Sequence, residues 1–131
     1  MGGLAARLSD LAGDDLARIE PSAEHLARWN QTVDDSSRSS FEHRILIGIA
    51  VNRQRPEYGK VVDYQASVAD GLGRSTRWVQ ATMSVSAAVD SAFQDGVVLP
   101  IEICDISWYG IPAAIVNVRN GRNPRRTRRR S

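Results

Sequence analysis

The sequence predicts a mainly α protein, a small helical bundle containing a helix-turn-helix and followed by a disordered basic C-terminal tail. Three observations carry that expectation. Apolar residues recur near 3.6-residue spacing through most of the chain, and only Val97 to Ile103 is β-branched enough to suggest a strand. Residues Val68 to Val79 hold a small residue, a glycine and a helix-capping serine in the order that two crossing helices need. From Arg119 onward there are seven arginines, no acidic residue and no apolar face to bury, so residues 119–131 are expected to be disordered on their own.

Taken in order, residues 4–19 place Leu4, Leu8, Leu11, Leu16 and Ile19 near helical spacing, with Arg7, Asp10, Asp14, Asp15 and Arg18 between them. This reads as an amphipathic helix, weakened at Gly13 by about 1 kcal/mol of helix propensity and closed by Pro21. Ser22 can cap a second helix with Ala23, Leu26 and Trp29 along one side. The run from Thr32 to Ser40 is polar and rich in turn formers, so residues 1–40 are expected to be an N-terminal helical appendage and linker. Phe41, Ile45, Leu46, Ile47, Ile49, Ala50 and Val51 form a core helix buried on more than one side, ending before Pro56. After the turn Glu57-Tyr58-Gly59-Lys60, Val61, Val62, Ala66, Val68 and Ala69 build one helix and Thr76 to about Val89 another. Asp95-Gly96 is a turn, and Val97 to Ile103, interrupted by Pro100, is an edge strand or an extended linker. Ile106-Ser107-Trp108-Tyr109 opens a last helix through Ile111, Ala113, Ile115 and Val118, with Pro112 tolerable in its first turn and Asn120-Gly121 at its end. Residues 41–118 are thus expected to be the helix-turn-helix domain.

Composition narrows the class. A chain of 131 residues with 42% apolar and 24% charged residues suits one folded domain with tails. The lone Cys104 excludes an intrachain disulfide and a multi-cysteine zinc site, which favours a reducing compartment. No stretch reaches the roughly 18 apolar residues of a membrane span, and Asp10, Asp14, Asp15 and Glu20 are out of place in a signal peptide, so the expected location is cytoplasmic. The net charge of +2 hides a segregation: residues 1–118 hold ten basic and fifteen acidic side chains, and the seven arginines of the tail reverse the sign.

In the 68–79 segment, Ala69 sits where two helices cross closely, Gly73 follows four residues later at a turn that wants positive φ, Ser75 caps the next helix, and Val79 faces back to the first. That order resembles the DNA-reading unit of repressors of the lactose-repressor type. A helix so placed projects side chains from its exposed start, which makes Ser75, Thr76, Arg77 and Gln80 the candidates for base contact. Arginine can hydrogen-bond guanine bidentately and glutamine adenine, each pairing being worth about 1–3 kcal/mol of discrimination. Lys60 and Arg74, in turns at the motif's edges, suit phosphate, as do Arg119, Arg122, Arg125, Arg126, Arg128, Arg129 and Arg130 in the tail.

The stretch from Phe41 to about Val118 also resembles the amino-terminal helical DNA-binding module of bacterial YhcG-like proteins. The matching elements are Tyr58-Gly59-Lys60, a helix over residues 61–71, a turn at Gly73, a second helix over residues 75–86, and a later Ser-Trp element at Ile106-Ser107-Trp108-Tyr109. In longer members this module precedes a nuclease domain, for which this chain has no room. The resemblance therefore implies binding without cleavage.

Catalytic chemistry has little footing. His25 and His43 show no metal-pair spacing, Cys104 lies in an apolar run, Asp14-Asp15 and Asp34-Asp35 read as solvated surface, and Gly71-Leu72-Gly73 lacks the glycine and lysine of a nucleotide loop. The expectation is no enzyme, no cofactor, no metal and no small-molecule ligand. The partner expected is double-stranded DNA, read by a homodimeric regulator of transcription or of a replicon whose 4–19 helix supplies the dimer contact. The alternative is a helical protein-interaction adaptor whose basic tail alone binds nucleic acid, DNA or RNA.

Overall fold

The computed structural model describes residues 3–13, 23–33, 38–57 and 59–125. It is mainly helical, with α1 (Gly3–Ala12), α2 (Ala23–Gln31), α3 (Arg38–Arg53), α4 (Val61–Leu72), α5 (Thr76–Gln94) and α6 (Ile111–Arg119). Two 3-10 turns, Ile101–Asp105 and Trp108–Gly110, precede α6, and the described residues contain no strand.

The centre of the bundle is the α3–α5 pair. On α3, Ile45, Leu46, Ile47, Ile49, Ala50 and Val51 are all buried, the all-round burial of a core helix. Its one interruption, Gly48, marks the crossing. A Cβ there would collide with Ser86 Oγ and come within 2.6 Å of the Thr82 carbonyl oxygen, both on α5. α5 answers with buried Val79, Thr82, Met83, Val85, Ser86, Val89 and Ala92, while α4 and α6 pack on its other sides.

α1 is shorter than expected. Gly13 adopts φ +74° and its N–H returns to Ser9 O at 3.0 Å, so the residue that only weakens helix propensity in the sequence reading stops the helix outright. Leu16 and Ile19 lie outside the described residues. What remains belongs to the core: Leu4 and Leu8 are fully buried in the same apolar cluster as α3 and α5, joined there by Trp29 and Val33 from the α2 region. The described parts of residues 1–40 are therefore core elements rather than an appendage, because α1 and α2 both pack against α3. The same burial removes the apolar face of α1 as the dimer contact expected of residues 4–19.

α5 runs past Val89 to Gln94, since Ala92 is still fully buried, and stops where Gly96 turns left-handed at φ +77°. Val97 N–H then closes on Ala92 O at 2.9 Å. Residues 97–103 form neither of the two expected shapes throughout. Leu99 is fully buried and its carbonyl accepts from Leu4 N–H at 2.8 Å; Pro100 then leads into a 3-10 turn that buries Ile103 and Cys104. With no neighbouring strand among the described residues to supply a ladder, and Pro100 lacking a donor, burial decides the path.

Candidate nucleic-acid interface

The segment that joins α4 to α5 is built by two local devices. Gly73 sits at φ +67°, ψ +33°, and over it the N–H groups of Gly73 and Arg74 return to Asp70 O (3.3 Å) and Ala69 O (2.9 Å), closing the end of α4. Ser75 follows in an extended conformation, φ −77°, ψ 155°, and its Oγ accepts from Trp78 N–H at 3.0 Å, capping α5. Ala69 and Val79 are buried, and α4 packs against α5. The result is a three-residue turn, Gly73-Arg74-Ser75, that leaves the start of α5 at the surface.

Of the four base-contact candidates, Ser75, Arg77 and Gln80 are exposed and Thr76 is half-buried. Ser75 is occupied by its capping bond. Gln80 Nε2 donates to Gln65 Oε1 of α4 at 3.1 Å. Arg77 and Gln80, three residues apart on α5, share the exposed side.

The phosphate-contact candidates do not form one surface. Lys60 is exposed and immediately precedes α4. Arg74 turns inward: Nε donates to Asn30 Oδ1 at 2.8 Å, and Nη2 to the carbonyl oxygens of Val33 (2.6 Å) and Asn30 (3.2 Å). Asn30 Nδ2 in turn donates to Leu72 O at 2.8 Å, so α2 is fastened to the turn from both sides. Arg119 pairs with Asp95 at 2.8 Å and Arg125 with Asp105 at 3.6 Å, while Arg122 is exposed. Arg126, Arg128, Arg129 and Arg130 lie outside the described residues.

One cation at this end of the molecule was not singled out by the sequence reading. Arg44, on core helix α3, is only 9% exposed. Its guanidinium carbon lies 4.1 Å from the Trp108 ring centroid and 4.7 Å from that of Trp78, and Arg74 approaches the Trp78 ring at 4.6 Å. Arg44 Nε donates to Thr82 Oγ1 at 2.8 Å and Nη2 reaches Trp78 O at 3.5 Å. Burial lowers its pKa to about 10, with Tyr109 acting to raise it and Arg74 to lower it. Arg44 therefore stays charged at neutral pH, held by π-faces rather than by a carboxylate. In the sequence Arg44 follows Glu42 and His43 and only borders the apolar run that begins at Ile45, so its burial carries no local signal.

The two histidines, separate in sequence, line one cleft of about 490 Å³ with Arg28 and Trp29. Groups of three or more side chains able to hold a metal ion are absent among the described residues. Cys104 is buried, and no helix is long and apolar enough to cross a membrane among the described residues.

No family model matches the chain, and neither a curated protein nor a solved structure matches it.

Proposed function

We propose that this chain binds double-stranded DNA and serves as a regulator, with α4, the Gly73-Arg74-Ser75 turn and α5 acting as a helix-turn-helix. The observation that carries the reading is the paired cap at Gly73 and Ser75, which fixes a tight turn and presents Arg77 and Gln80 from the first turns of α5. A start-of-helix position is where base edges are reached in a major groove. Lys60 and the arginines from Arg119 onward supply phosphate contacts. Two half-sites call for two copies, joined through a surface other than the buried face of α1.

A second reading has specific support. Arg74 and Gln80 both have partners within the chain, and Asp63 and Asp70 are exposed on α4, so the body is less suited to a polyanion than its turn geometry suggests. In that reading the body docks a protein and the basic tail alone holds nucleic acid.

Selection of sites from a random duplex pool separates the two. Arg77→Ala and Gln80→Ala should lose preference for the selected site over random DNA while keeping non-specific binding. Deleting residues 119–131 should weaken all sequences alike and flatten the salt dependence, since about five to seven released counterions correspond to a log–log slope of roughly −4 to −6. Unaltered site preference in both helix variants, with binding lost only on tail deletion, would favour the adaptor.

A further inference from the structure

A helix that reads base edges must be held against rotation as well as held in place. Side-chain tips stand about 5–6 Å from a helix axis, so turning the helix by about 10° carries them through about 1 Å. A preorganised contact tolerates about 0.5 Å. Apolar burial is non-directional, whereas a hydrogen bond weakens steeply as its angle closes. Arg44 supplies such directed bonds from α3 to the start of α5. Its Nε donates to Thr82 Oγ1 at 2.8 Å, its Nη2 reaches Trp78 O at 3.5 Å, and its guanidinium carbon lies 4.7 Å from the centroid of the Trp78 ring. Trp78 and Thr82 stand four residues apart, one above the other on the same side of α5. The guanidinium therefore grips two successive turns. Trp108 backs it, with its ring centroid 4.1 Å from the guanidinium carbon and its Nε1 donating to Ala81 O at 3.2 Å. Arg77 and Gln80, both exposed, lie one residue before and two residues after Trp78. An apolar side chain in the place of buried Arg44 would cost less to desolvate, and what the arginine adds is a rigid fork of donors.

We propose that Arg44 is a positioning residue for the DNA-reading helix, acting through Trp78 and Thr82 to set the rotation of α5 and so the direction in which Arg77 and Gln80 leave it. Arg44 is buried on α3 and touches no base itself. What it governs is the aim of two other side chains. The proposal rests on the DNA-binding reading and adds to it that site preference depends on a residue of the core.

The test compares the full-length wild-type chain with Arg44→Met, Arg44→Lys and Thr82→Val, at a temperature where circular dichroism shows the folded state. Affinity is measured for a duplex taken from the wild-type selection and for a random duplex, and the ratio of the two is the readout. Arg44→Met should lower that ratio roughly tenfold, within the range of one lost base contact, while binding to the random duplex changes little. Arg44→Lys keeps a cation beside the rings without the fork, so it should fall between Arg44→Met and the wild-type chain. In an Arg77→Ala background, Arg44→Met should cost less preference than in the wild type, because one of the contacts it aims is already gone. A merely structural Arg44 would lower the melting temperature and leave the ratio alone, so an unchanged ratio in folded Arg44→Met overturns the proposal. Should neither Arg44 variant fold, Thr82→Val decides in the same way, since it removes the acceptor of Nε and keeps the side-chain shape. A loss by the same factor with and without Arg77 also overturns it. A wild-type chain with no site preference overturns the DNA-binding reading and the proposal together, whereas preference lost in Arg77→Ala but kept in Arg44→Met removes the proposal alone.

Discussion

Gly48 of α3 and Ser86 of α5 meet so closely that a side chain on the first would occupy the place of the second's hydroxyl. Gly48→Ala should therefore destabilise the fold by about 1–3 kcal/mol despite alanine's better helix propensity, because overpacking at a helix crossing forces the backbones apart. Urea denaturation of Gly48→Ala, Ser86→Gly and the double variant checks it. The double variant should be more stable than the two single effects sum to; strict additivity would mean the pair does not define the crossing.

The turn between α4 and α5 depends on two residues for different reasons. Gly73→Ala places a Cβ at φ +67°, with an expected cost of about 1–2 kcal/mol, and Ser75→Ala removes the Trp78 N–H partner, with an expected cost of about 1 kcal/mol. Ser75→Asp should restore the second loss. Thermal unfolding of the three variants decides, and a neutral Gly73→Ala would contradict the left-handed cap.

Arg74 gives a prediction that separates structure from binding. Its bonds to Asn30 and Val33 hold α2 to the turn, so Arg74→Ala should cost about 1–3 kcal/mol and speed amide exchange around residues 29–33. A variant of unchanged stability that binds DNA more weakly would instead make Arg74 a plain phosphate contact.

Tyr64 supplies a pH dependence. Its hydroxyl donates to Val51 O at 2.6 Å, and burial raises its pKa above the ordinary value of 10.0. Between that value and the higher folded one, the unfolded chain releases the proton and the native chain retains it. The contribution to stability is thus whole below pH 10 and is lost as pH rises through the folded pKa. Tyr64→Phe should cost about 0.5–1.5 kcal/mol at pH 8 and decline less steeply in alkali. Urea midpoints of both chains from pH 8 to 11 test the sign; parallel declines would remove Tyr64 from the account.

The parts of the fold legible in the sequence are those set by neighbours along the chain. Gly73, Ser75, Gly96 and Pro112 each act within a few residues of themselves, and the helices around them stand where their spacing predicts. Gly13 shows the limit of such reasoning. A glycine in an apolar repeat can be endured or can end the helix, and spacing alone does not decide which; here Gly13 takes a left-handed φ of +74°. Val97 to Ile103 has strand-like composition, but a strand needs a partner and this chain provides none among the described residues. The candidate interface is legible only as a helix start. That Arg74 faces inward, and that Arg44 of α3 meets Trp108 from beyond α5, depends on tertiary juxtaposition for which local spacing carries no signal.

The hydrogen bond from Leu4 N–H to Leu99 O has a consequence for how the chain is made. α1 leaves the ribosome long before the segment at 97–103 that helps cover it. Until that segment emerges, Leu4 and Leu8 can pack against α3 but lack the part of their site that residues 97–103 supply. A nascent chain stalled before Leu99 should therefore be a better chaperone client than one extended past Asp105, and α1 is secured only after α5 has been made.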